Sequence, residues 1–207
     1  MFHTCPSVAN MNFMRTQLRI VAGQLRGRKL TVDVNPQVRP APQMVREALF
    51  SILGNAVPGR PFFDLFAGTG AVGLEALSRG ACHVLFVERD VRVADQIQKH
   101  LQTFHVADRA SVVRGDVYHW AERWQAPLEP VTLFLGPPFA DFERRLESLL
   151  TLVAKLQTKV AADSVLVLQS EIPFTADALA DGPQWDVRKY GRNQLMIWVK
   201  ESIVSSP

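Results

Sequence analysis

The 207-residue chain has little cysteine, no long apolar run and almost no acid across one early stretch. Its two cysteines, Cys5 and Cys82, are far apart in sequence. That excludes a disulfide framework and points to a reducing, cytoplasmic setting. No apolar run reaches the roughly 18 residues that a membrane-spanning helix needs. Residues 1–14 lack a basic start and a continuous apolar stretch, so they do not form a secretory signal. They are expected to be a disordered leader, or to reflect a start codon placed too early, with Met11 or Met14 as later starts. The five histidines, His3, His83, His100, His105 and His119, share no ligand spacing with each other or with cysteine. No metal site is therefore expected.

Charge is uneven along the chain. The net charge is only +3, with a pI near 9.1. Between residues 15 and 60, however, eight basic side chains face two acids, Asp33 and Glu47, leaving +6 there and −3 over the remainder. A basic end on a mildly acidic body suggests a polyanion, with nucleic acid the foremost class. Arg19, Arg26, Arg28, Lys29, Arg39 and Arg46 are the candidate phosphate contacts. No internal repeat or low-complexity tract interrupts the chain. With 47% hydrophobic residues it is long enough for one layered core.

From residue 61 on, apolar strand-like runs alternate with helical patterns. Strands are expected at 61–66, 82–87, 110–114, 131–135 and 164–169, with a hairpin over 185–190 and 194–200. Helices are expected at 71–79, 91–104, 116–124 (with Asp116 as N-cap) and 143–156, the last marked by Leu146, Leu149, Leu150, Val153 and Leu156 at helical spacing. Strands that are apolar throughout belong to a mostly parallel sheet covered on both faces. The segment before Pro61 differs: 18–30 alternates loosely and is rich in glycine and arginine, and 39–53 opens with prolines before turning helical. The expected organisation is a leader over 1–14, a basic extension over 15–60 and an α/β domain over 61–202.

Four groups of residues carry chemistry. Asp64-Leu65-Phe66-Ala67-Gly68-Thr69-Gly70 ends one strand and opens a helix. Glycines there allow left-handed backbone and close approach of a ligand. Gly68 to Gly73 also satisfies the dinucleotide pattern G-x-G-x-x-G. Asp64 argues for a different ligand, because a carboxylate at that strand end repels a pyrophosphate but suits the cationic end of S-adenosylmethionine. Glu88 ends the next strand, where an acid accepts ribose hydroxyls in either class. Asp116 follows the third strand, within reach of an adenine amine. Gly136-Pro137-Pro138-Phe139 follows the fourth. Its prolines stiffen the turn and remove two donors, leaving carbonyls for a substrate amine, and Phe139 offers a face for base stacking. Trp120 and Trp124 are expected to pack as one helix face.

These residues resemble the RsmD-type methyltransferases, which modify guanine N2 in 16S ribosomal RNA. Leu18 to Leu30 (LRIVAGQLRGRKL) looks like that family's N-terminal signature. Arg39-Pro40 with Val45 to Phe50 looks like its second block, and Phe63 to Ala81 like its cofactor loop and first helix. Phe86 to Asp90, Gly115-Asp116 and Pro137-Pro138-Phe139 follow in the family's order. The resemblance covers roughly residues 15–200. It implies a Rossmann-like, seven-stranded, S-adenosylmethionine-dependent methyltransferase sheet, mostly parallel, with a C-terminal antiparallel hairpin and a small basic N-terminal extension. It implies S-adenosylmethionine as methyl donor, held by Asp64, Phe66, Ala67, Gly68, Gly70, Glu88 and Asp116. It further implies the RNA of the small ribosomal subunit as partner and a monomer as the acting form.

One position departs from the family pattern, which places Asp or Asn before the two prolines: here that residue is Gly136. The loss removes an acceptor for the target amine. A hydrogen bond to a charged group is worth about 1.5–3 kcal/mol, so transfer is expected to slow about 10- to 150-fold. The reading is therefore an enzyme that binds cofactor normally and methylates slowly, and that Gly136→Asp accelerates. The competing readings are an RNA- or cofactor-binding homologue without catalysis, a small nicotinamide-dependent oxidoreductase resting on the glycine pattern, and a methylase of another nucleic-acid amine.

Overall fold

The computed structural model describes residues 14–34 and 41–202. Nine strands and six α-helices follow in the order β1 (Met14–Arg19), β2 (Lys29–Val34), α1 (Gln43–Leu53), β3 (Pro61–Leu65), α2 (Ala71–Ser78), β4 (His83–Glu88), α3 (Val91–Thr103), β5 (Ala110–Arg114), α4 (Val117–Arg123), β6 (Thr132–Leu135), α5 (Phe139–Arg144), α6 (Leu146–Lys159), β7 (Val165–Glu171), β8 (Asp186–Tyr190) and β9 (Asn193–Val199). The main sheet has seven strands in the order β5-β4-β3-β6-β7-β9-β8. Its central pairs are parallel, while β9 runs antiparallel to both β7 and β8. The expected α/β class and terminal hairpin are both present.

Strand alternation feeds two cores, one on each face of the sheet. Phe62, Phe134, Val165 and Val167 pack on one face with α1, α2 and α3. Phe63, Leu133, Leu135, Leu166 and Leu168 pack on the other with α4 and α6. Every residue of α2 is buried, which explains its run of small and aliphatic side chains. Trp120 and Trp124 stack at 5.1 Å and enclose Phe63, forming a packed face as expected. The chain leaves β3 towards β4 on one side and returns to β6 on the other. This reversal opens a crevice at the carboxyl ends of β3 and its neighbours, where ligands of open α/β sheets bind.

Three local features differ from the sequence expectations. The basic extension contains an antiparallel pair, β1 with β2, in a register that sets Leu18 opposite Leu30. Its loop lies on α2, where the buried Glu75 accepts from Val21 N–H at 2.8 Å and Ala22 N–H at 3.0 Å, while Ser78 accepts from Leu25 N–H. Ile20, Leu25, Leu30 and Val32 join the core of the main sheet. The helix expected over 143–156 is two helices, because the chain turns at Arg145 (φ −133°, ψ 27°) between α5 and α6. Finally, Met14 belongs to β1, whereas the rest of the expected leader and Arg39 lie outside the described residues.

Candidate functional site

The crevice forms a cavity of about 400 Å³, within the range of small-molecule sites. Asp64, Phe66, Ala67, Gly68, Glu88 and Asp116 line it from the ends of β3, β4 and β5. Gly136, Pro137, Pro138 and Phe139 line it from the end of β6. Four loops separated in sequence thus meet around one space. Gly70 is absent from the lining. It stands at the N-terminus of α2 with φ 73°, and a Cβ there would lie 2.9 Å from Ile97 Cγ1, so its contribution is to the turn.

The β3–α2 turn is built from local bonds. Phe66 adopts a left-handed backbone (φ 64°), unusual for a bulky residue and a mark of strain held at a site. Ala67 N–H donates to Val87 carbonyl, tying the turn to β4. Gly68 N–H donates to Glu88 Oε2 at 2.7 Å, and Asp90 N–H to Glu88 Oε1 at 2.9 Å. Both carboxylate oxygens of Glu88 therefore keep lone pairs for a ribose only beyond these two bonds. Asp64 is 1% exposed, and its Oδ2 accepts from Gly73 N–H, in the first turn of α2, at 2.8 Å. Burial pushes its carboxyl up to about 8, against the Gly73 hydrogen bond and with the Glu88 charge adding to the rise. The glycine at 73 is required by packing, since a Cβ there would run into the Phe86 ring.

Tyr118, Asp141 and Arg145, which also line the cavity wall, were not singled out from the sequence. Asp116 caps α4 by accepting Tyr118 N–H at 2.8 Å, and its other oxygen pairs with Arg145 at 3.2 Å. Although burial acts to raise it, these two partners hold the Asp116 carboxyl below its usual range. The Arg145 guanidinium lies 3.9 Å over the Tyr118 ring, and Phe66 meets that ring edge-on at 5.7 Å. The Tyr118 hydroxyl donates to Asp141 Oδ2 at 2.8 Å. Burial, together with that bond, raises the phenol above its ordinary value and keeps it a donor. The sequence signal for this group is slight: Asp141 and Arg145 stand four apart just after the proline turn, the first in α5 and the second at its end.

The turn after β6 also carries one bond that the sequence reading did not foresee. The Pro138 carbonyl, counted among the free acceptors, accepts Asp141 N–H at 2.9 Å. Gly136 N–H donates to Leu65 carbonyl at 3.2 Å, joining the turn to β3. Phe139 is 38% exposed and offers a free aromatic face.

Of the basic candidates, Arg19, Arg26, Arg28 and Lys29 are exposed on the hairpin and its loop. Arg46 is not available to a phosphate. It is 2% exposed, and its guanidinium donates to Ala41 carbonyl at 2.8 Å and Arg19 carbonyl at 3.1 Å. A helix residue that reads as surface charge is thus a buried clamp holding β1 to α1.

Residues 18–199 match a family model described as conserved hypothetical protein 95. The chain belongs to this family, the RsmD-type methyltransferases. A protein of Bacillus subtilis named "Putative rRNA methyltransferase YlbH" is 34% identical over 68% of this chain and 76% of its own length. The ribosomal RNA small subunit methyltransferase D of Escherichia coli is 42% identical over 59% of this chain, and the match spans 61% of that relative. Among solved structures, one titled "Putative methyltransferase yhhF" from Escherichia coli superposes with a TM-score of 0.72 at 31% identity, covering 90% of this chain and 99% of that one. Membership makes the chain a methyltransferase that uses S-adenosylmethionine. The residues present fit that group: acids at three successive strand ends meet a cavity with an apolar lining of Ala67, Val93, Val117 and Phe134. Asp64 and Glu88 suit its cationic and hydroxyl-bearing parts, and no cluster of metal ligands competes among the described residues.

Proposed function

We propose that the protein methylates the exocyclic N2 amine of a guanine in 16S ribosomal RNA of the small subunit. One observation carries this reading: the acid-lined turns and the Gly136–Phe139 turn open onto a single cavity, so donor and target base meet across it. The relatives named for small-subunit ribosomal RNA methylation support the choice of substrate.

Asp64 faces the cationic methionine end of the cofactor, Glu88 takes the ribose hydroxyls and Asp116 the adenine amine. When bound, the cofactor would supply an electrophilic methyl carbon, and the residues around it would hold the target amine in line with it. The amine is a weak nucleophile because its lone pair is delocalised into the ring, so orientation is the main task of the protein. The base must leave its stack to enter. Phe139 supplies a stacking face, worth about 1–3 kcal/mol per base. Pro137 and Pro138 stiffen the wall against which the amine rests. Arg19, Arg26, Arg28 and Lys29, exposed on the N-terminal hairpin and its loop, bind phosphates and set register without reading bases. The acting form is a monomer in the cytoplasm, where the subunit is assembled.

The test is transfer of labelled methyl to small subunits lacking the family's guanine N2 mark, with Gly136→Asp in parallel. Incorporation at guanine N2 by the natural protein supports the reading. Incorporation by the Asp variant alone would mean a preserved binding site without catalysis, and none by either would remove the substrate.

A further inference from the structure

We propose that Asp141 is the acceptor that orients the target amine in this chain, doing so from α5 in place of a side chain at position 136, and that it favours guanine over adenine. The inference rests on the methyl-transfer reading above.

Gly136 leaves no side-chain acceptor at the start of the turn; a Cβ there would lie 3.1 Å from Phe134 Cε1, so a side chain fits once that ring shifts by a few tenths of an ångström. Asp141 lines the same cavity and is 5% exposed. Its N–H donates to Pro138 carbonyl at 2.9 Å, so its position is fixed to the turn itself. Its Oδ2 accepts the Tyr118 hydroxyl. Among the described residues no donor reaches Oδ1. It is not among the buried oxygens that lack a partner, so it keeps solvent access and stands open to a donor entering the cavity.

The surroundings keep that oxygen in place. Tyr118 is gripped between the Arg145 guanidinium and the Phe66 ring, and Arg145 is anchored by Asp116. The array therefore links the cofactor side of the cavity to the base side through four side chains. Tyr118 and Arg145 are positioning residues, and Asp141 is the group that touches the base.

The chemistry of the free oxygen selects its ligand. Guanine presents two adjacent donors on one edge, the N2 amine and N1–H, and both match a carboxylate. Adenine and cytosine place a ring-nitrogen acceptor beside their amine, which a carboxylate repels. Recognition of an unstacked base by its Watson–Crick edge is the usual mode for single-stranded RNA. Holding one amine hydrogen also turns the nitrogen's lone pair towards the cofactor.

The experiment is a double-mutant cycle on subunit methylation, with S-adenosylhomocysteine affinity measured by calorimetry for every variant. Asp141→Ala is expected to lower kcat about 10- to 150-fold, the range for losing one charged hydrogen bond, while the cofactor affinity stays within about twofold. Asp141→Asn keeps the shape and an oxygen for Tyr118, and is expected to lose about tenfold, since a neutral acceptor is roughly half as strong. Adding Gly136→Asp to either variant should restore at least about tenfold, a larger gain than the same change gives in the natural sequence. A purely structural role for Asp141 would not be rescued from position 136. Wild-type rates in Asp141→Ala, or a loss that Gly136→Asp does not recover while cofactor still binds, overturn the inference. If the alanine variant does not fold, as loss of cofactor binding would reveal, the asparagine pair decides by the same criterion. No transfer by the natural protein would instead refute the functional reading, and this inference with it.

Discussion

Asp64 makes a prediction that can be worked to a number. Its carboxyl is pushed up to about 8, first by burial, so near neutral pH the free protein holds it protonated. Contact with a cationic ligand requires the charged form. Cofactor binding must then expel a proton, and the apparent affinity must rise with pH until the carboxyl ionises unaided. For a single group titrating at about 8, the apparent affinity falls about 25-fold between about pH 8.5 and about pH 6.5, and about 0.9 proton leaves per cofactor bound near pH 7. The assay is calorimetry with S-adenosylhomocysteine in buffers of different ionisation enthalpy, comparing the natural protein with Asp64→Asn. The amino group of the ligand titrates as well, at about 7.7–8.0 for an ordinary α-amine, but it does so against both proteins, so their ratio isolates Asp64. Stability of the free protein runs the other way. A carboxyl raised in the folded state contributes stability below its unfolded value of about 4, and that contribution is lost as pH rises towards about 8. The Asn variant should flatten this decline. A ratio of affinities that stays level across the range would refute the argument, because it would mean that Asp64 is charged before the ligand arrives or does not meet its cationic end.

Three further outcomes follow from the packing. Glu75→Ala strands the Val21 and Ala22 N–H groups and frees Arg79, whose Nε donates to Glu75 at 2.9 Å; a loss of about 3–5 kcal/mol is expected by urea unfolding, as for other buried pairs deprived of one partner, with faster hydrogen exchange confined first to β1 and β2. Gly73→Ala forces the Phe86 ring to move and should cost about 1–3 kcal/mol by thermal unfolding, the usual range for overpacking. Replacing Arg26, Arg28 or Lys29 by Ala should each lower the slope of log affinity for RNA against log salt by about 1, whereas Arg46→Gln should leave that slope unchanged and lower stability.

The sheet from Pro61 onward was legible because its inner strands β3, β6, β7 and β9 are buried on both faces, so their apolar runs are barely interrupted, while the edge strands β5 and β8 are more exposed. The β3–α2 turn was legible for a related reason: its partners are near in sequence or in the adjacent strand, and glycine at 68 and 70 reports the left-handed backbone directly. The N-terminal hairpin was not legible. Its inward positions, Leu18, Leu30 and Val32, are separated by a loop whose folding depends on Glu75 and Ser78, more than 50 residues away. Arg46 misled by type, since a charge on a helix usually marks the solvent side, and Glu75 is a second helix charge that the fold buries. Both are buried because main-chain groups from distant segments complete their bonding.

The same distinction bears on Gly136. Taken as a motif letter, glycine before two prolines subtracts an acceptor and implies a weakened enzyme. In the fold, the turn does not end at Phe139, because the Pro138 carbonyl draws Asp141 back against it and Tyr118 fixes the carboxylate from α4. The side-chain acceptor absent at residue 136 has a counterpart in the carboxylate five residues later, of which Tyr118 takes one oxygen and leaves the other open. On the proposal that Asp141 orients the amine, catalytic capacity depends on which oxygens face the cavity rather than on whether the motif is intact.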